Sequence, residues 1–435
     1  MNVSSRRRLL LFGLILTANA LNLIDRQIIS VLKPMISNDL GWNDQDYGHL
    51  VAWFQAASAA GYLVTGWIVD RLGIKWANPL AVAAWSLAAF GHGLASSVRE
   101  FIVCRIALGA TEAMGTPANI KTIATVFKPA QRALGIGLNN AVATFGVVLA
   151  PLAIPAVAVV WGWRYTFIFA GGVGLCWSAL WLVCTRGIHF ARSATNHADR
   201  ESILGGYVAI LSRRSTWTIA IAKTVTDATF WFMLFWLPDF FHRAFGLSGV
   251  DLGRPVAIGY AGSALGALLA GALSSALLSR GLTENAVRKS VMLGSALMVV
   301  PLLFILHIGS YSWTLSIISL ALAGHQGFSV SLFAMISDTV PGASVGKVTS
   351  FCSFAGNLGG MAIALIAGMV LADGLGYFPL FLFASTSYLM ALVWIQMMLA
   401  KIEPVPEDTP ATSLADAGAR LTRRKRMDNK PRFTE

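Results

Sequence analysis

Four charged residues lie within hydrophobic stretches of the sequence, where a charge is costly. Asp25 and Arg26 are adjacent in the first stretch, and Arg105 and Glu112 lie in the fourth. A charged side chain at the centre of a bilayer costs about 2.5 to 3.5 kcal/mol on insertion scales, and such residues are mostly functional. Seven residues make about two helical turns, so Arg105 and Glu112 share a helix face. We therefore predict a buried acid and guanidinium cluster that handles protons and organic anions.

The composition indicates which elements must position these residues. The 435-residue chain is 56% hydrophobic and only 12% charged, with a mean hydropathy of +0.64. Soluble domains average about 25% charged residues, so this chain does not present an ordinary water-exposed surface. Backbone groups in lipid must be satisfied within each segment, which predicts an all-α integral membrane protein. About twelve apolar runs long enough to span a bilayer occupy residues 9–31, 47–69, 76–96, 100–122, 133–157, 164–185, 217–240, 252–278, 288–308, 312–336, 345–371 and 376–400.

The net charge of +12 does not indicate a nucleic-acid partner, because the basic residues are distributed in alternate loops. The intervening loops are sparse in charge or acidic, as in Asp39, Asp44, Asp46, Asp239 and Asp251. This asymmetry predicts a multi-pass protein of the cell inner membrane with both termini in the cytoplasm. The first apolar run is too long for a signal peptide, and no small-residue cleavage site precedes Asp25, so we expect a retained first helix.

The polar segments divide the chain into parts. We predict an N-terminal six-helix bundle over 1–185, a cytoplasmic linker over 186–215 and a C-terminal six-helix bundle over 216–400. A basic tail, 401–435, is expected to be disordered or to lie against anionic headgroups. The four cysteines form no CxxC pair and fall in or beside predicted spans, so neither a disulfide framework nor a metal site is indicated.

The loop between the second and third spans contains Gly66, Asp70, Arg71, Gly73 and Lys75. This spacing resembles the signature loop of the major facilitator superfamily, G-x-x-x-D-R-x-G-x-[KR], whereas the matching loop of the second half is degenerate. The resemblance implies two six-helix bundles, built from inverted repeats, that rock around a site at the middle of the membrane. We expect the loop to take part in that conformational change.

Further motifs narrow the resemblance to the anion:cation symporter family, over nearly all of residues 9–400. The stretches Gly324–Gly327 and 345–361 are particularly similar to the branch that carries hexuronates and aldonates with protons. The remaining matches are Asn22-Leu-Ile-Asp-Arg26, Arg105-Ile-Ala-Leu-Gly-Ala-Thr-Glu112, Pro117-Ala-Asn-Ile-Lys121, Gly162-Trp-Arg164 and Phe235-Trp-Leu-Pro238.

The resemblance gives roles to the first-half charges. Arg26 matches the arginine that binds the substrate carboxylate, which suits a side chain that is always charged and can bind bidentately. Asp25, Glu112 and the neighbouring Arg105 match the proton-coupling group. Symport would follow if an entering anion took an arginine away from its acid, which would then bind a proton. The alternatives are static ion pairs, Arg26 with Asp25 and Arg105 with Glu112.

The second half offers weaker candidates. Lys223 and Asp227 are spaced i,i+4 and form either a pathway pair or a self-neutralising pair. His325, with Gln326, either contacts the substrate or is a hydrogen-bonded core histidine. Asn357 is a candidate ligand for substrate hydroxyls, as are Asn139 and Asn140 in the fifth span, of which Asn140 matches the family asparagine better.

We therefore predict a proton-coupled symporter of a sugar-acid anion that works by alternating access. No enzyme motif or nucleotide-binding loop is present, so we expect a proton gradient instead of a cofactor, no metal, and a monomer in the lipid bilayer. Two tyrosines common in the family are replaced by Leu23 and Ser58. These departures leave open a different sugar acid or a less hydroxylated organic monocarboxylate as the substrate of a symporter. A separate alternative is a non-transporting membrane receptor of the same fold.

Overall fold

The computed structural model describes residues 5–127, 129–188, 190, 208, 210–340 and 342–401. Among these residues the ordered elements are helices, with no strand and no cis peptide bond. The helices are α1 Ser5–Leu40, α2 Asp44–Leu94, α3 Val98–Glu112, α4 Gly115–Val126, α5 Pro129–Trp161, α6 Trp163–Cys184, α7 Arg214–Phe245, α8 Val250–Ser279, α9 Glu284–Val299 with a 3-10 extension Val300–His307, α10 Tyr311–Thr339, α11 Gly342–Ala372 and α12 Phe378–Met398.

Within the described ranges, nine helices are long and apolar enough to cross a membrane. The other three predicted runs lie in two places. Runs 47–69 and 76–96 both fall in α2, which is broken at Gly73, where φ is +69° and only glycine is unstrained. Run 100–122 is divided between α3 and α4. The all-α membrane fold is confirmed, and the number of twelve spans stays a prediction.

Local sequence explains several helix ends. The Asn43 side chain accepts a hydrogen bond from the backbone of Asp46, and the Asp46 side chain accepts one from the backbone of Asn43, which makes a capping box for α2. Ser97 caps α3 with its hydroxyl group. The left-handed Gly246 ends α7. The start of α2 and the end of α7 lie at the same end of the bundle, where Arg243 contacts Asp44. We call this the distal end, opposite to Ser5 and Lys401.

The helices pack mainly within each half of the chain. In the first half α2 packs against α3 and α6, and α1 packs against α5; in the second half α10 packs against α8 and α9, and α11 against α7. The halves meet mainly where α2 packs against α11, α5 against α8, and α1 against α7. The predicted division at 186–215 stays a prediction, since most of that linker and residues 402–435 lie outside the described residues.

Glycine permits close approach of helices from different halves. A Cβ on Gly48 would lie 2.8 Å from the Ala364 carbonyl oxygen, and one on Gly253 would lie 2.1 Å from that of Pro151. Both contacts are at the distal end, where α2 meets α11 and α5 meets α8. The two halves are thus packed backbone to backbone at this end, as small residues allow in membrane proteins.

The substitution Gly253→Ala is expected to lower the melting temperature of the detergent-solubilised protein, because the added methyl group would separate α8 from α5. Overpacking of this kind costs about 1–3 kcal/mol. The matched control is Gly271→Ala in the same helix, where a Cβ would meet nothing within 4 Å. Equal melting temperatures for the two variants would contradict the close α5–α8 contact.

Candidate functional site

A buried ion pair joins α1 to the end of α3. The Arg26 Nε donates a hydrogen bond to Glu112 Oε2 at 2.7 Å, and both side chains are buried. The second carboxylate oxygen, Oε1, has no hydrogen-bond partner among the described residues. Both static pairings considered from the sequence, Arg26 with Asp25 and Arg105 with Glu112, are therefore wrong. The partner of Arg26 comes from another helix.

Arg105 and Asp25 lie beside this pair. Arg105 is completely buried, and none of its three guanidinium nitrogens has a hydrogen-bond partner in the described chain. Asp25 is buried too, and its Oδ1 has no partner among the same residues. Both side chains interact electrostatically with Glu112. The structure brings the four predicted charges together. Arg105, Asp25 and Glu112 each have unused hydrogen-bonding capacity among the described residues, which is unusual for buried charges and favours a ligand site.

Aromatic rings from both halves enclose the two guanidinium groups. The Phe54 ring centroid is 5.7 Å from the guanidinium carbon of Arg26 and 5.5 Å from that of Arg105. The Trp231 ring of α7 is 6.0 Å from Arg26 and stacks on Phe235. Rings at these distances attract a cation weakly without neutralising it. Residues of the second half therefore reach the first-half charges, and sequence analysis does not assign Phe54 or Trp231 to the site.

A tyrosine near Arg26 is a further residue that the sequence motifs do not reveal. The hydroxyl group of Tyr62 interacts with the Arg26 guanidinium. Tyr62 lies one helical turn along α2 from Ser58, the position where the family commonly has tyrosine. The Ser58 hydroxyl donates a hydrogen bond to the Gly109 carbonyl and so is used in helix packing. The side chain that Ser58 lacks is thus supplied from the next turn of the same helix face.

His325 lies in a hydrogen-bonded core. Its Nδ1 is 2.6 Å from the Tyr388 hydroxyl, which donates to the Thr226 carbonyl, and its ring stacks on Phe230 at 4.4 Å. This geometry favours the core interpretation over substrate contact. Gln326 is half-buried and next to it in α10.

The i,i+4 pair in α7 is formed. Lys223 Nζ is 2.7 Å from Asp227 Oδ2, and both side chains are buried. Lys223 also lies over the Phe333 ring, and Asp227 packs against Gly356, where a Cβ would be 2.2 Å from Oδ2. The carboxylate fits between α7 and α11 only because residue 356 is glycine. The pair neutralises itself, and a pathway role stays a prediction.

The three asparagine candidates differ in their surroundings. Asn357 is buried and donates to the Ser353 carbonyl, and its side-chain oxygen has no partner within the described residues. Asn139 is also buried, and its side-chain oxygen likewise has no partner among the described residues, whereas Asn140 is exposed. Asn357 and Asn139 therefore each have an unused buried acceptor. As a candidate ligand for substrate hydroxyl groups, the geometry favours Asn139 over Asn140.

The signature loop makes its contacts at the end of the bundle opposite to the distal end. Lys121 Nζ is 2.6 Å from Asp70 Oδ1 and also donates to the Val69 carbonyl. Arg71 lies over the Trp67 ring at 4.0 Å. The loop is thus tied to α4, and the carbonyl of Lys75 accepts from Trp181 of α6. Of its two glycines, Gly66 is exposed, and Gly73 is the residue at which α2 is broken.

A second charged cluster closes the distal end. Lys33 Nζ is 2.7 Å from both Asp44 Oδ1 and Asp239 Oδ1, so one buried cation joins the two halves. Arg243 likewise contacts both acids, Asp44 at 2.5 Å and Asp239 at 2.8 Å. The Tyr377 hydroxyl donates to Asp239. We call Lys33, Asp44, Asp239, Arg243 and Tyr377 the distal cluster.

The remaining chemistry of the chain is sparse. The four cysteines are free, and no group of three His, Cys, Asp or Glu side chains that could hold a metal is found among the described residues. Long apolar helices around a buried cluster of acids and guanidinium groups, lined by residues from both halves, are the features of a membrane transporter.

The comparison with protein families identifies the group of transporters. The family model of the Major Facilitator Superfamily matches residues 15–324. The chain belongs to this superfamily, which confirms the fold predicted from the sequence.

Curated relatives cover most of the chain at low identity. The D-galactonate transporter of Escherichia coli O6:H1 (strain CFT073) is 23% identical over 421 residues, 92% of this chain and 97% of the relative. The hexuronate transporter of Escherichia coli K12 is 25% identical over 390 residues, 85% of this chain and 89% of the relative. The similarity to relatives of the sugar-acid group agrees with the resemblance seen in the sequence.

Solved structures show the same fold. A bacterial homologue of the human lysosomal transporter Spinster, in an inward-facing and unoccupied conformation, matches with a TM-score of 0.71 and 18% identity, covering 92% of this chain and 96% of that one. A D-xylose–proton symporter matches with a TM-score of 0.69 and 16% identity, covering 90% and 97%. At these identities the likeness concerns the fold alone.

Proposed function

We propose that this protein is a proton-coupled symporter that carries a sugar-acid anion, a hexuronate or an aldonate, across the inner membrane by alternating access. The observation that carries the proposal is the Arg26–Glu112 ion pair, buried beside Arg105 and Asp25. The three guanidinium nitrogens of Arg105 and Oδ1 of Asp25 lack partners in the described chain. A buried carboxylate tolerates its charge only while a cation compensates it. Whatever removes the cation therefore promotes protonation of the acid.

The substrate carboxylate and Glu112 compete for Arg26 within this arrangement. A substrate carboxylate that binds Arg26 replaces Glu112 as the acceptor of the guanidinium hydrogen bonds, and Glu112 then gains a proton because its compensating cation is shared. Arg105 offers further donors to the anion, and Asp25 is a second acid for the same exchange. Release of the anion returns Arg26 to Glu112 and expels the proton. Coupling by competition needs no cofactor, and the energy comes from the proton gradient.

The substrate class rests on weaker support. The relatives named as galactonate and hexuronate transporters point to a hydroxylated carboxylate. Tyr62 supplies a neutral polar group beside Arg26, and Asn139 and Asn357 are buried and have side-chain oxygens without partners among the described residues. The second candidate, an organic monocarboxylate with fewer hydroxyl groups, is favoured by Leu23, where the family commonly has a tyrosine, whereas Tyr62 compensates for Ser58. A receptor would bind the anion at Arg26 without using a titrating Glu112.

The test is uptake of radiolabelled glucuronate, galacturonate and galactonate into membrane vesicles that contain the protein, with and without an inward proton gradient. We expect gradient-driven accumulation of at least one of the three. Uptake of none, by protein shown to be folded, would contradict the sugar-acid proposal and favour the less hydroxylated carboxylates. Binding of an anion without any transport would favour the receptor.

Alternating access requires the distal cluster to separate. The substitution Asp239→Asn is expected to favour the separated state, because it removes one of the two acids that Lys33 bridges and weakens the contact with Arg243. Spin labels on the exposed positions Gln45→Cys and Leu375→Cys, in a cysteine-free background, would report the distance between halves. We expect a population at longer distances in the variant.

The matched control for that measurement is Asp39→Asn. Asp39 also lies at the distal end and pairs with Arg164 at 2.7 Å, but both residues belong to the first half and are exposed. It should leave the distance distribution unchanged. Identical distributions for wild type and Asp239→Asn would show that the distal cluster does not hold the halves together.

A further inference from the structure

Gln55 is a buried glutamine whose side chain is unused by the fold. It lies in α2, next to Phe54, and has no exposed surface. Neither Oε1 nor Nε2 has a hydrogen-bond partner among the described residues. A carboxamide left unsatisfied in the interior costs about 1–3 kcal/mol, so such groups are rare in stable proteins and call for a partner that the protein itself does not supply.

The position of Gln55 relates it to the anion site. A Cβ on Gly360 would lie 2.1 Å from Gln55 Nε2 and 2.5 Å from Trp231 Cδ1, so both side chains share the space left by this glycine. The Trp231 ring is also 6.0 Å from the Arg26 guanidinium carbon, and its indole nitrogen has no partner in the described chain. Gln55 and Trp231 thus form a pair of unused donor groups, of which Trp231 is beside Arg26.

A second glutamine shows that burial alone does not produce this state. Gln27 is equally buried and next to Arg26 in sequence, and its Oε1 also has no partner among the described residues, but its amide nitrogen donates to the Val147 carbonyl in α5. It packs within the first half, whereas Gln55 faces Gly360 and Trp231 of the second. Gln27 therefore joins two helices of the first half, whereas Gln55 is directed into the space between the two halves.

The chemistry of Gln55 suits a hydroxyl group. A carboxamide has two donors and an acceptor oxygen, and a hydroxyl group both donates and accepts. Arg26 is charged and selects a carboxylate, but it does not distinguish a hydroxylated anion from a plain one. A neutral group a short distance away from Arg26 can make that distinction, because a site built to hydrogen-bond a hydroxyl rejects the analogue that lacks it.

We propose that the Gln55 carboxamide, together with the indole N–H of Trp231, binds hydroxyl groups of the anion whose carboxylate is held by Arg26. Gln55 thereby determines the preference for hydroxylated over deoxygenated carboxylates. This inference rests on the proposed function and adds the residue that selects within the substrate class.

The parent acid is whichever of galactonate, glucuronate and galacturonate the wild type accumulates. The experiment measures how strongly each monodeoxy derivative inhibits uptake of that acid, and the ratio of parent to derivative binding strength is compared between variants. In the wild type, at least one derivative should bind about 10-fold more weakly than the parent acid, the effect of removing one hydrogen bond. In Gln55→Leu that ratio should fall to about one, because the parent acid loses the same bond. Trp231→Phe keeps an aromatic ring but removes the indole N–H, and it should reduce the ratio for at least one derivative as well.

Gln27→Leu is the control for loss of a buried glutamine and should keep the wild-type ratios. A Gln55→Leu protein that binds parent and derivatives more weakly by the same factor, with the ratios kept, would overturn the inference and leave a packing role for Gln55. Equal binding of all derivatives by the wild type would overturn it too. Absence of wild-type uptake is a separate result and would contradict the proposed function itself.

Discussion

The substitution Glu112→Gln is expected to abolish proton-driven accumulation while leaving substrate binding and exchange of substrate across the membrane intact. Glutamine has nearly the shape of glutamate and its carbonyl oxygen can still accept from Arg26, but it does not carry a proton. The variant should bring the internal concentration of substrate only to that outside, with or without a proton gradient. Accumulation and counterflow in the same vesicles measure the two properties separately.

A matched control for Glu112→Gln is Asp338→Asn. Asp338 forms an ion pair with Arg288 at 3.0 Å, away from the anion site and partly exposed. It should keep gradient-driven accumulation. Accumulation against a gradient by Glu112→Gln would contradict its role as the coupling acid, and would direct attention to Asp25, the other buried acid of the site.

The substitution Arg26→Ala is expected to abolish binding and uptake and also to destabilise the protein. Removal of one partner of a buried pair leaves an uncompensated charge, here that of Glu112, at a cost of about 3–5 kcal/mol. The substrate carboxylate loses its charged donor at the same time. Ligand-induced shifts of the melting temperature and uptake in vesicles measure the two effects.

The exposed pair Arg164–Asp39 gives the control for Arg26→Ala. Its nitrogen–oxygen distance is also 2.7 Å, but exposed pairs are worth about 0–1 kcal/mol, so Arg164→Ala should have little effect on stability. The double variant Arg26→Ala/Glu112→Gln should recover stability without recovering binding. Substrate binding of wild-type strength in Arg26→Ala would contradict the assignment of Arg26 as the carboxylate ligand.

The four charges of the site can be predicted from the sequence, but their pairing cannot. Hydrophobic context alone marks Asp25, Arg26, Arg105 and Glu112 as unusual. A spacing of seven residues places Arg105 and Glu112 on one helix face, yet it does not predict that a cation from another helix, Arg26, forms the ion pair with Glu112. The position of α1 against α3 decides that, and it depends on packing over the whole first half.

The distal cluster escapes prediction for a related reason. The predicted first span ends at residue 31, whereas α1 continues to Leu40, so Lys33 falls outside the predicted membrane segment. From the sequence, Asp44 and Asp239 are only acids of sparsely charged loops. The ion pairs Lys33–Asp239 and Arg243–Asp44 join residues that are about 200 positions apart in the chain, and no local sequence pattern predicts such a contact.

The position of Tyr62 illustrates the limit of motif comparison. Position by position, Ser58 suggests that a tyrosine hydroxyl is missing from the site. In a helix, residues four apart lie on the same face, so Tyr62 brings a hydroxyl to Arg26 from one turn away. Comparison of aligned positions detects the loss at Ser58 but not the replacement.

The distribution of charge in the distal cluster bears on the proposed alternating access. Lys33 and Asp44 both belong to the first half, and Asp239 and Arg243 both belong to the second. When the halves separate, each retains one acid and one base already paired, so neither surface is left with an unbalanced charge. Separation breaks the ion pairs across the boundary, Lys33–Asp239 and Arg243–Asp44, and keeps the pair within each half. The distal cluster would therefore separate into two neutral parts, as the proposed alternating-access cycle requires of a contact that opens and closes repeatedly.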